Sequence, residues 1–206
     1  MIATAQKKDA AQHARSERDG LEKRRWTADE YLKMAELGIL ASGERLELID
    51  GEIYKKMSPV GLPHYWCVNR LNRLFHTKLL NSVIVSIQNP LWLDEYNEPE
   101  PDVVLLPMMD MHVRPGAKDA LLVVEVSDST LDLDRKVKLP LYAKFEVGEV
   151  WLVNLAEACL EVYREPKDEG YGQMKKYEAN ESVSAMQFPD VKFSVAEILG
   201  MKPLTL

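Results

Sequence analysis

Cysteine is scarce in this chain, with two among 206 residues. Cys67 and Cys159 match no metal-ligand spacing, which excludes a disulfide scaffold and a zinc ribbon. They read as free buried thiols, suited to a reducing cytoplasm. The four histidines (His13, His64, His76, His112) are scattered, so a His-rich zinc site is not expected. No run approaches the ~20 apolar residues that a membrane-spanning helix needs. The N-terminal stretch has no apolar core, so it does not read as a secretory signal. No GxxxxGK[ST] or GxSxG occurs, which argues against a phosphate loop or a serine nucleophile elbow. Glycine and proline, 10 and 11, are too few for collagen or low complexity. Basic charge is also short: 26 Lys and Arg face 33 Asp and Glu, for a net −7. Lys and Arg supply most nonspecific phosphate affinity, so this balance argues against a general nucleic-acid binder.

What is present suffices for one domain with its own core. Residues 1–25 carry +3 and few large apolar side chains, and the rest carries −10. The expectation is a mobile tail over 1–25 and one folded unit over 26–206. Thr27 with Glu30 forms a capping box for a short helix ending near Gly38. Asp50-Gly51 between alternating arms predicts a two-residue hairpin. Apolar spacing predicts a helix over 63–80. Strands follow over 82–87 and 101–106, and the apolar run 121–126 predicts a strand buried on both faces. A helix is expected over 130–146, with Pro140 as its weak point. Strands at 149–155 and 159–164, strand-like material over 171–187, and a second capping box (Ser194, Glu197) complete the pass. Trp26, Trp66, Trp92 and Trp151 read as core packing. The order is that of an α/β domain around one mixed sheet.

Three acids stand out. Glu125 lies inside the apolar run LLVVEVS, where an uncompensated carboxylate costs several kcal/mol, so it needs a partner or a metal. A structural ion pair satisfies the same need. Asp102 opens DVVLL after two prolines that impose an extended approach. Two strand carboxylates on one side can hold a hard cation such as Mg²⁺. Glu47 alternates away from Leu46 and Leu48, and a solvated position is the competing reading. Glu44 and Glu52 read as solvated. On the following helix, Lys138, Leu141, Tyr142 and Phe145 share one face, which aims Lys138 at the sheet. Lys136 falls on a flank. Lys138 could orient a water and stabilise charge on a phosphorane-like transition state, or it could simply cover the core edge.

These residues sit in ELIDGEIYKKMSP with His64 following, in EPEPDVVLLP, and in LLVVEVSDSTLDLDRKVKLPLYAKFEVGEVWLVNL. In combination, over about residues 26–200, the chain resembles the Uma-two family of restriction-endonuclease-like proteins in the PD-(D/E)XK nuclease superfamily. The resemblance implies a restriction-endonuclease-like α/β core, with a mixed central sheet flanked by helices, and Mg²⁺-dependent (Mn²⁺ as the alternative ion) hydrolysis of DNA. It implies Glu47, Asp102, Glu125 and Lys138 as catalytic, with Asp102, Glu125 and the Val126 carbonyl on the metal. Gln88, Ser127, Tyr142 and His64 would line the site. The superfamily places its lysine two residues after the second acid; Ser127 stands there, and Lys138 is the matching base. The partners implied are DNA and, for cutting both strands, a second copy of the chain. Two other readings stay open: a nuclease fold that binds nucleic acid or protein without catalysis, and a carboxylate-pair glycosidase.

Overall fold

The computed structural model describes residues 23–41, 43–56, 61–80, 82–110 and 112–201. The expected mobile tail falls mostly outside them. Helix α1 spans Ala28–Glu36, and Thr27 and Glu30 form the anticipated capping box. Strands β1 (Leu46–Ile49) and β2 (Glu52–Lys55) make an antiparallel hairpin with Ile49 opposite Glu52. Its turn has φ of 54° at Asp50 and 76° at Gly51, the positive values that a type I′ turn demands. Helix α2 (Leu62–Leu79) leads to β3 (Ile84–Ile87) and β4 (Val103–Leu106). Then come β5 (Leu122–Ser127), a crossover, and β6 (Glu149–Asn154). Strands β7 (Cys159–Lys167) and β8 (Gly170–Glu178) finish the main sheet. A small pair, β9 (Ser182–Val183) with β10 (Phe193–Ser194), precedes a short helix at Val195–Leu199.

The sheet order is β3-β4-β5-β6-β7-β8. Only β5 and β6 run parallel; every other pair is antiparallel. A parallel pair needs a crossover, and the helical segment between β5 and β6 supplies it. Alternation along β5 divides the core. Leu122, Val124 and Val126 pack with Leu71, Phe75, Trp151 and Phe193 beneath α2. Val123 faces the other way, against Leu139, Tyr142 and Val150 beneath the crossover. Glu125 and Ser127 share that second face by the same period of two. A third, small cluster joins Ala28, Tyr31 and Leu48, fixing α1 to the hairpin.

Three local expectations are corrected. The helix over 130–146 is not continuous. It runs as α3 (Leu131–Leu133), a π turn (Asp134–Lys138) and α4 (Leu139–Lys144). Pro140 has no N–H to give to the Lys136 carbonyl, and the wider turn sits just before it. Ser194 caps no backbone group with its side chain; Glu197 is turned toward Lys78 of α2, 3.9 Å away. Of the tryptophans, Trp151 is core, but Trp66 and Trp92 are 53% and 39% exposed. Cys67, Val68 and Leu71 take the inward face of α2, which turns Trp66 to solvent.

Candidate functional site

The site begins with the row of residues where β3 and β4 end, beside β5. Register pairs Ile87 with Val103 and Val103 with Val124. Continued by one residue, it sets Gln88, Asp102 and Glu125 side by side. The β4–β5 ladder stops there, and the Asp102 side chain takes over: its Oδ2 accepts from the Val126 N–H at 2.9 Å. The same oxygen lies 3.0 Å from His64 Nε2, and Oδ1 accepts from Gln88 Nε2 at 3.2 Å. Burial pushes the Asp102 carboxyl up. Hydrogen bonding and charge from His64, with Lys138 and Lys56, outweigh it and hold the group well below the usual carboxylate range.

The two prolines before Asp102 explain how the hairpin docks. Pro99 and Pro101 donate nothing, so only Glu98 and Glu100 offer N–H groups in that stretch. Glu98 N donates to the Leu48 carbonyl at 2.8 Å. Glu100 N donates to Glu47 Oε1 at 3.1 Å. Glu47 is thereby carried into the site and buried, not solvated. The hairpin register also sets Arg45 beside Lys56, whose N–H donates to the Arg45 carbonyl at 3.0 Å. Lys56 Nζ reaches Glu47 Oε1 at 2.7 Å and the Glu100 carbonyl at 2.9 Å. Arg45 approaches Asp102 at 3.8 Å.

The π turn delivers the base. Asp134 accepts from the hydroxyls of Ser127 and, at 2.8 Å, Thr130. Arg135 is bound to Glu161, which also accepts from Tyr163 and Asn154. Pinned at both residues, the turn projects Lys138 inward until it is 1% exposed. Its Nζ lies 2.6 Å from Glu125 Oε1 and 3.0 Å from Glu47 Oε1. Tyr142, one helical turn on, donates to the same Glu125 oxygen at 2.6 Å. Burial raises the Glu125 carboxyl to about 7, even against the lysine beside it. Lys138 goes the other way: burial would lower it, but Glu125, Glu47 and Asp134 keep it protonated beyond its ordinary range. Glu47 is drawn below its ordinary value by Lys138 and Lys56, against its own burial. Lys136, by contrast, pairs at the surface with Asp132.

Glu47, Asp102, Glu125, Val126, Lys138 and His64 line one pocket of about 550 Å³. Gln88, Ser127 and Tyr142 sit behind it, bonded to Asp102, Asp134 and Glu125. Among the described residues, no group of three or more His, Cys, Asp or Glu is disposed to hold a metal. Mg²⁺ asks for less: one or two carboxylates, with waters and phosphate oxygens completing the shell. Asp102 and Glu125 are hard-oxygen donors of that kind. Burial disfavours the charged form of Glu125, and a cation in the pocket that it shares with Asp102 would favour it. The donor set fits.

Lys56, Arg45 and Asp134 were not anticipated. Lys56 and Arg45 were findable, because counting outward from Asp50-Gly51 pairs position 45 with 56 and puts both on the Glu47 face. Asp134 had no comparable signal among the acids of DSTLDLDRK.

A family model named Uma2, with the description "Putative restriction endonuclease", matches residues 28–196. No curated protein sequence matches the chain. Among solved structures, the chain is similar to one titled a putative nuclease belonging to DUF820 from Anabaena variabilis. The TM-score is 0.67 at 15% identity, covering 84% of this chain and 97% of that one. A type IIG restriction endonuclease, BpuSI, aligns with TM-score 0.41 at 18% identity, covering 66% of this chain and 15% of that one. The first likeness agrees with the fold read from the sequence. Among the described residues no helix is long and apolar enough to cross a membrane.

Proposed function

This chain belongs to the Uma2 family, and from that premise we propose that it hydrolyses phosphodiester bonds of DNA with a bound Mg²⁺ or Mn²⁺. The observation that carries the reading is the convergence of Asp102, Glu125, Glu47 and Lys138 on one pocket. Asp102 and Glu125 would hold the metal, with the Val126 carbonyl beside them. The Val126 N–H already faces Asp102, and a strand residue turns its N–H and C=O to the same edge. When bound, the ion supplies Lewis acidity toward the phosphate and a water of lowered pKa.

The chain's own groups do the rest. Lys138 stays charged and orients the attacking water while countering charge that develops on phosphorus. Glu47 holds Lys138 from its other side. Tyr142 fixes the Glu125 carboxylate, and His64 and Gln88 fix both oxygens of Asp102. Lys56, on the pocket side of Glu47, is the cation placed to meet a non-bridging phosphate oxygen. Cutting both strands of a duplex calls for two such sites, so a homodimer belongs to the proposal. The two buried free thiols fit a reducing cytoplasm.

The test is nicking of supercoiled plasmid and cleavage of oligonucleotide DNA with Mg²⁺, Mn²⁺ or EDTA. Wild type should cut only with the cation, and Asp102→Ala and Glu125→Ala should each lose about a hundredfold or more. Equal cutting by all three proteins would expose a contaminant and end the reading. One observation favours a non-catalytic binding module: Lys138 Nζ is already engaged by two carboxylates. That version predicts DNA binding with no cleavage and no heat of Mg²⁺ titration.

A further inference from the structure

Helix α2 does not share the charge of the chain around it. Its 18 residues, LPHYWCVNRLNRLFHTKL, contain Arg70, Arg73 and Lys78 and no acid, although acids outnumber bases over the whole sequence. Its inward face is apolar and packs on the sheet. Its outward stripe is Leu62, Trp66, Asn69, Arg73 and His76, spaced four, three, four and three as one helical face requires. Tyr65 and Trp66 are 50% and 53% exposed, with ring centroids 5.2 Å apart and planes at 80°. An apolar indole turned to water ahead of Arg70 and Arg73, at i+4 and i+7, is unusual for a helix whose core face is already full.

The location gives this face a use. The first turn of α2 also forms the wall of the acidic pocket: Gly61 and His64 line it, and His64 meets Asp102. Tyr54, exposed on the hairpin, also lines it. Trp66 stands two residues beyond His64 on the same helix, and Arg70 and Arg73 follow it at i+4 and i+7.

We propose that the outer face of α2 binds an unpaired nucleic-acid strand and leads it to the pocket. Bases stack on Trp66 and Tyr65, and phosphates follow Arg73. This combination of aromatic platforms with a basic track is how single strands are held without sequence readout. A duplex keeps its base faces stacked inside and offers nothing to these rings. A duplex also asks for a broad cationic surface, whereas this chain carries a net −7. The proposal rests on the nuclease reading only for where the strand ends.

Fluorescence anisotropy of labelled oligothymidylate, in EDTA to prevent cleavage, measures it on the full chain. Single strand should bind more tightly than a duplex of equal length. Trp66→Ala should weaken single-strand binding by about five- to a hundredfold, the loss of one stacked base, and Trp66→Phe should keep most of it. Arg73→Ala should flatten the salt dependence by about 0.7 in log K per log salt. Lys167→Ala, remote from this face, should bind as wild type does. Circular dichroism should show Trp66→Ala folded, since the residue fills no core position. Unchanged binding by Trp66→Ala, or tighter binding of duplex, overturns the proposal. So does loss of self-association in Trp66→Ala without loss of binding, which would make this face a contact with a second copy. Intact plasmid cleavage with no single-strand binding sinks this proposal alone. Binding as described without cleavage sinks only the nuclease reading.

Discussion

Replacing Glu125 by Gln should make the metal-free protein more stable at pH 8 while abolishing its proposed activity. The sign follows from linkage. Burial raises the Glu125 carboxyl from 4.5 to about 7 in the folded protein. Between those values the folded state holds a proton that the unfolded state has released, so stability falls as pH rises through that window. Above it the deficit is constant. At about 1.4 kcal/mol per pH unit, the loss is about 3 kcal/mol. Gln mimics the protonated acid. Its carbonyl still accepts from Tyr142 and Lys138, so the two proteins should agree near pH 4.5 and diverge toward pH 8. Urea denaturation at pH 5, 6, 7 and 8, analysed as the difference between variant and wild type, cancels the other titrating groups. Mg²⁺ should close the gap at pH 8 by stabilising wild type. A difference that does not change with pH would refute the claim that burial governs this carboxyl, as would wild type staying the more stable at pH 8.

Other outcomes follow from the same contacts. Lys138→Met should cost about 3–5 kcal/mol in urea unfolding, because it leaves Glu47 and Glu125 buried without their shared cation. Adding Glu125→Gln should recover part of that loss in a double-mutant cycle. Gly51→Ala should lower stability by about 1–2 kcal/mol by thermal denaturation. Its φ is +76° and a Cβ there would meet the Arg25 Cβ at 2.5 Å. Trp151→Ala should cost about 3–5 kcal/mol, since the ring packs against Phe75 and Phe193 with no exposure.

The elements legible in the sequence were those set by local rules. Asp50-Gly51 specified both a turn type and a register, and the capping box at Thr27 marked a helix start. An acid within an apolar run announced Glu125. The π turn was not legible, because its cause is shared among distant residues. Pro140 removes one hydrogen bond locally. Choosing a wide turn over a kink, however, depends on Glu161 holding Arg135, Ser127 holding Asp134, and Glu125 holding Lys138. Glu161 and Glu149 illustrate the same blindness. Both lie in strands that read as ordinary, yet both are buried with an arginine partner. Trp66 failed for another reason: α2 has more apolar residues than one face can hold, and spacing alone does not say which are excluded.

The displaced lysine follows from this arrangement. A lysine two residues after Glu125 would occupy the Ser127 position, on the crossover side of the sheet. Ser127 instead binds Asp134 and anchors the start of the π turn. The turn then brings an ammonium to Glu125 from above, where it also reaches Glu47 on the hairpin. The strand position serves as the fastening, and the helical segment carries the ammonium. One ammonium now ties three separate elements together: β5, the hairpin and the crossover. Glu47, Glu100, Asp102, Glu125 and Asp134 stand near Lys138, Lys56 and Arg45. The shortfall is about two charges, which one divalent cation would make good locally. About two of the chain's excess negative charges thus lie where a bound cation would offset them, and α2 is free of acids beside them.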